Sequence, residues 1–146
     1  MRHRVASKQL QRDTKHRESL IKNLARAVFE HGAITTTRTK AKVVQPVVEH
    51  LITTALPGSV AARRTLHEYF GKRDVVNTLV DRIVPAVGER RSGFTRITDV
   101  GTRAGDNATL VELSLVDMPE TIGNFDGVHT RKEAVEKPAP KVSKKK

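Results

Sequence analysis

Residues 93–116 read GFTRITDVGTRAGDNATLVELSLV, and how this stretch is read decides the fold. The runs "GFTRITDV" (93–100) and "ATLVELSLV" (108–116) are rich in β-branched and aliphatic residues. In the second run Val111, Leu113 and Leu115 recur at every other position. A period of two places those side chains on one face of a pleated strand. Between the runs lies the polar, glycine-bearing "GTRAGDN" (101–107), which suits a reversal of the chain. The stretch therefore predicts a hairpin with one apolar face.

Working upstream, the pattern changes from period two to period 3.6. Asp74 is positioned to cap a helix whose inward face is Val75, Val76, Leu79, Val80, Ile83 and Val84, ended by Pro85. Ser59 is positioned to cap another, running to about Phe70 and stopped by Gly71. Between about 40 and 55, Val44, Val47, Val48, Leu51, Ile52 and Ala55 form a helical stripe, with Thr37 or Thr39 as the candidate cap. Pro46 inside it predicts a kink or loosening of the first turns. "AITTT" (33–37) is short, β-branched and flanked by helices, so it is read as a strand. From Thr14 to His31 the residues Leu20, Leu24, Ala27, Val28 and His31 trace an amphipathic face, with Gly32 as the stop and Asp13 or Thr14 as the start.

The expected fold is α+β with two layers, in the order α-β-α-α-α-β-β. It comprises a small mixed three-stranded sheet, helices packed on one face, an extended basic N-terminal arm and a disordered basic C-terminal tail. The domain assignment is 1–118, divided into an arm (1–13) and a globular body (14–118). A Lys/Pro-rich extension follows at 119–146, with no internal repeat.

The 146 residues carry a net charge of +11, and its placement is informative. Residues 1–26 hold eight lysines and arginines against two acids, and residues 130–146 hold seven against two. Residues 27–129 hold twelve of each sign, so the body is neutral. An ordinary solvated surface mixes the signs along the chain, whereas segregated basic ends suit a polyanion.

Much chemistry is excluded. The chain has no cysteine, which removes disulfides, thiolate nucleophiles and Cys-ligated zinc. Its six histidines form no HxxxH pair, and His31 reads as a buried structural histidine. No run approaches the ~20 apolar residues of a membrane span, and the N-terminus has no apolar signal segment. "GTRAGD" lacks the GxxxxGK[ST] pattern and joins two strands instead of opening a helix. No nucleophile elbow or paired-carboxylate motif stands out, so no enzyme activity, cofactor or metal is expected. RNP aromatics and other stacking platforms are also missing, which leaves phosphate and shape contacts.

Several separate motifs resemble one family. "MRHR" (1–4), "LQRDTKHR" (10–17), "ITTTRTKAK" (34–42), "GFTRI" (93–97), "RAGDNA" (103–108) and "LVELSLVD" (110–117) are similar, in consistent order, to the bacterial large-subunit (50S) ribosomal protein L-seventeen family. The resemblance implies a cytoplasmic structural protein of the ribosome, near the exit of the nascent-chain tunnel. Its implied partners are large-subunit (23S) rRNA and neighbouring ribosomal proteins, with no membrane, cofactor or small-molecule substrate. It gives the arm residues Arg2, His3, Arg4, Lys8 and Arg12, with His16 and Arg17, the task of entering folded rRNA. Lys40, Lys42, Arg96 and Arg103 are further implied contacts, and Asp106 is a turn-stabilising or arginine-orienting residue. The chain departs from the family at "VVQPVV" (43–48), where a basic face is lost, so no RNA contact is carried there; Phe94 stands where a tyrosine is common. For Lys15, Lys22 and Arg26, on a helix face, solvation and contact are both open. The alternative function is a free-standing, nonspecific nucleic-acid-binding protein of nucleoid or RNA-processing type.

Overall fold

The fold was analysed in a computed structural model that describes residues 8–119. The expected penetrating residues Arg2, His3 and Arg4, and the expected disordered extension from residue 120 on, lie outside the described residues.

Helix α1 spans Thr14–His31, strand β1 Ala33–Thr37, and α2 Arg38–Ala55. After α3 (Val60–Phe70) come α4 (Arg73–Thr78), a π-helical turn (Leu79–Ile83) and α5 (Val84–Val87). Strands β2 (Thr95–Thr102) and β3 (Thr109–Leu115) complete the fold. The α+β order matches the expectation, with the fourth helix divided by its π turn.

The sheet order is β1-β3-β2, and both pairings are antiparallel, not mixed. β1 and β2 run parallel to each other, which the long helical connection between them permits. β3 lies between them, so they never pair directly. Register is set by alternation: Leu113 faces Ile34 on one side and Ile97 on the other, while Val111 lies opposite Thr36. Val111, Leu113 and Leu115 are buried, and the intervening Glu112 and Ser114 are only half-buried. At Val100 the β2–β3 register slips by one residue between Asp99 and Gly101. Gly101 has φ 145°, a conformation costly for any residue with a Cβ, so glycine allows the bulge.

α1 and α2 pack directly on the sheet, and α3 and α4 pack principally on α1, α2 and each other. The core joins Val28 and Phe29 of α1 to Val44, Val48 and Ile52 of α2 and to Leu113 of β3. Phe70 meets Phe29 edge-on with ring centroids 5.8 Å apart, tying α3 to α1. The face carrying Thr35, Arg96 and Thr98 is solvent-exposed.

Several helix ends differ from the sequence reading. Ser59 does cap α3, its Oγ accepting from the Ala62 N–H at 3.2 Å. Asp74 does not cap α4; Lys72 holds that position and Asp74 lies in the first turn, where its charge still complements the helix dipole. Pro46 leaves α2 unbroken from Arg38 to Ala55 and is itself exposed, its ring on the solvent side. Pro85 does not end the fourth helix. The preceding π turn, closed by the Val84 N–H to the Leu79 carbonyl, widens the backbone where the proline ring would press on an earlier carbonyl. His31 is exposed, because the apolar stripe of α1 stops at Val28 and Phe29.

Leu113→Ala should cost about 3 kcal/mol, the usual loss for a fully buried leucine, while Glu112→Ala should stay within about 0.5 kcal/mol. Urea denaturation checks this: the first variant lowers the midpoint without changing the m-value, and the second barely moves it.

Candidate nucleic-acid interface

The arm's last residues are the first part of the site the structure describes. Residues 9–12 form a tight turn in which the Arg12 N–H bonds to the Gln9 carbonyl at 3.1 Å. Its central residues, Leu10 and Gln11, both have φ 52°. Left-handed backbone at non-glycine residues is strained by roughly 1–2 kcal/mol each. Arg17 stitches the turn to α1 by donating from Nη1 to the Arg12 carbonyl at 3.4 Å. Arg12 Nε donates to His16 Nε2 at 3.1 Å. The expected contacts Arg12, His16 and Arg17 therefore form one local cluster at the start of α1.

Lys8 lies elsewhere. It lines a cleft of about 340 Å³ together with Thr37, Arg38, Thr39, Lys42 and Thr109. The cleft sits where β1 passes into α2, next to the start of β3. The first turn of α2 contains no acidic residue, and Thr37 at its cap position makes no side-chain hydrogen bond. The structure thus brings Lys8 and Lys42 together and adds Arg38, which the sequence reading missed by starting the helix near residue 40. The cationic run "RTKAK" at a helix start was the available signal. Lys40, two residues from Lys42 and thus on another side of α2, does not line this cleft.

The hairpin loop borders the same region, since the Arg103 N–H bonds to the Ala108 carbonyl at 3.0 Å. Arg103 grips Asp106 through two hydrogen bonds, from Nε at 3.0 Å and Nη2 at 2.5 Å. The Ala108 N–H also donates to Asp106 at 3.3 Å. Arg96 stands apart, opposite Ser114 near the far end of β2.

Other cations are committed to carboxylates: Arg26 to Glu30, Arg63 to Asp81 and Arg90 to Asp117. Lys22 lies over the Tyr69 ring, 5.9 Å from its centre. Among the described residues, no carboxylate comes within 4.0 Å of Lys8, Arg38, Lys40, Lys42 or Arg96. Nor do three or more His, Asp or Glu side chains gather there as metal ligands. No helix of the described residues is long and apolar enough to cross a membrane. What this arrangement can do is bind an anion by charge and hydrogen bonding.

The Arg103 guanidinium, with help from the Ala108 N–H, holds the Asp106 carboxyl down at about 2 against its ordinary 3.8. The same pairing raises Arg103 above its ordinary range. A carboxylate with a depressed folded-state pKa stabilises the loop above its unfolded value and loses that contribution as pH falls through the folded value. Carboxyl NMR titration should therefore show Asp106 protonating near pH 2 in the native chain and at a clearly higher pH in Arg103→Ala, where only the backbone donors remain. An ordinary value in the native chain would mean that the pair does not hold the loop.

The comparisons with known proteins agree with the geometry. The profile of the family described as "Ribosomal protein L17" matches residues 20–116. The "Large ribosomal subunit protein bL17" of Gemmatimonas aurantiaca is 42% identical over 116 residues, covering 80% of this chain and 98% of that protein. Its namesake from Fervidobacterium nodosum is 42% identical over 127 residues, covering 80% of this chain and all of that protein. The namesake from Petrotoga mobilis is 41% identical over 128 residues, covering 82% and 100%. On this coverage, with the expected hairpin and helices in place, the chain belongs to the ribosomal protein L17 family.

Proposed function

We propose that this protein is a structural, non-catalytic constituent of the bacterial large ribosomal subunit that binds and stabilises folded large-subunit rRNA. Family membership supports the place of work, the ribosome in the cytoplasm. The observation that carries the binding mode is that Lys8, Arg38, Lys40, Lys42 and Arg96, all candidate contacts or neighbours of them, have no carboxylate partner among the described residues. Arg26, Arg63 and Arg90, in contrast, are each paired with an acid. Cations held apart from acids raise the local potential and reward a polyanion that displaces their counterions.

The division of labour follows from the elements. The arm, with Arg2, His3, Arg4, Lys8 and Arg12, enters the RNA, and His16 and Arg17 extend its reach onto α1. Lys40 and Lys42 meet the backbone from α2. Arg96 and Arg103 do so from β2 and its loop, where Asp106 holds the Arg103 guanidinium in one orientation. Neutralising phosphates in this way lets RNA helices pack closely, with the neutral body docked outside. Neighbouring large-subunit proteins share the contact surface, and the family resemblance favours a site near the exit of the nascent-chain tunnel.

Sucrose-gradient sedimentation tests the assignment. The full-length protein should co-sediment with large subunits and remain there after a high-salt wash. Recovery only in the free or nucleoid fraction would show a free-standing nucleic-acid-binding protein instead. Removing residues 1–13 should leave a folded body with its circular dichroism intact but reduce incorporation at least about tenfold, as loss of several phosphate contacts requires.

A further inference from the structure

We infer that the cleft lined by Lys8, Arg38 and Lys42 is a seat for a single phosphate group, and that the seated phosphate fastens the N-terminal arm to the body. This rests on the RNA-binding reading for the source of the phosphate, a backbone phosphodiester, but the site itself is defined by its own chemistry.

The three cations come from two separate parts of the chain. Arg38 and Lys42 are one helical turn apart on α2, while Lys8 belongs to the arm thirty residues earlier. They share a cleft of about 340 Å³ whose other lining residues include Thr37, Thr39 and Thr109. No carboxylate lines it, and no described acid pairs with any of the three cations. Like charges gathered around one concavity repel each other, so an empty cleft opposes the presence of Lys8. The turn that brings the arm here is also unfavourable, because Leu10 and Gln11 both adopt left-handed backbone. An oxyanion reverses the sign of the first term: it attracts all three cations at once, and the threonine hydroxyls can donate to it. Arm docking and anion binding are therefore linked, and each must strengthen the other by the same factor.

The test is an NMR titration of the full chain, at constant ionic strength, with inorganic phosphate and separately with a short RNA duplex. Phosphate should shift the amides of Lys8, Leu10, Arg38, Lys42 and Thr109 together, with one saturating dissociation constant. Lys8→Gln and Lys42→Gln should each weaken phosphate binding about tenfold, the loss of one charge-assisted hydrogen bond. Lys42→Gln should also diminish the response at Lys8 and Leu10, which local charge loss alone would not do. Lys72→Gln, an exposed lysine at the cap of α4, should change nothing. All these side chains are exposed, and circular dichroism confirms that the variants fold.

Shifts spread over all lysines and arginines without saturation would overturn the seat, as would affinity unchanged in Lys8→Gln. If phosphate saturates the cleft but the RNA does not bind, the seat stands and the RNA reading fails. If the RNA binds and leaves Lys8 and Lys42 unperturbed, the seat fails and the RNA reading stands.

Discussion

β3 has neighbours on both sides and one buried face, and the rest of the structure is arranged around that constraint. Its Val111, Leu113 and Leu115 must be covered, and α1 and α2 cover them. Its two hydrogen-bonding edges must be paired, and β1 and β2 pair them from opposite sides. The order in the sheet follows, as does the long helical excursion that carries the chain from β1 to β2. The remaining sheet edges are blunted: β1 is only five residues long, and β2 bends at Val100 and exposes Arg96.

Because the core is closed by apolar contact on one face of the sheet, charge is not needed to hold the body together. Pairs such as Arg63 with Asp81 and Arg90 with Asp117 join segments distant in sequence, but they are exposed and worth little individually. This frees the cations at the arm, at the start of α2 and on β2 to remain without acids. Under the proposed function, a neutral body with cationic extensions separates folding from binding: the first depends on burial, the second on an external polyanion.

The legibility of the sequence followed the range of the interactions involved. Alternation in "TLVELSL" and the 3.6 periodicity of α1 and α2 are local patterns, so the elements and their buried faces were readable, as was the Ser59 cap. Asp106 as partner of Arg103 was also readable, since three residues separate them across a tight loop. Wholly antiparallel pairing was not, because it depends on β3 entering between two strands some sixty residues apart. The π turn before Pro85 was missed because proline's usual effect is to stop a helix, and only tertiary packing shows that this one continues. His31 lay on a helical stripe that the fold does not extend to the last turn. The cleft combines both cases: Lys42 was legible from its motif, whereas Arg38 and Lys8 meet only because a strained turn folds the arm back.

The central claim is that this protein holds unpaired positive charge in place for the phosphates of RNA. The most direct test is the salt dependence of its affinity for a folded fragment of large-subunit rRNA. Each phosphate contact contributes roughly 0.7–0.9 to the slope of log K against log salt concentration. The account predicts a slope steeper than about −4 for the full chain, falling by about one unit when Lys42 is replaced by glutamine. An affinity nearly independent of salt, or a slope unaltered by that substitution, would contradict it.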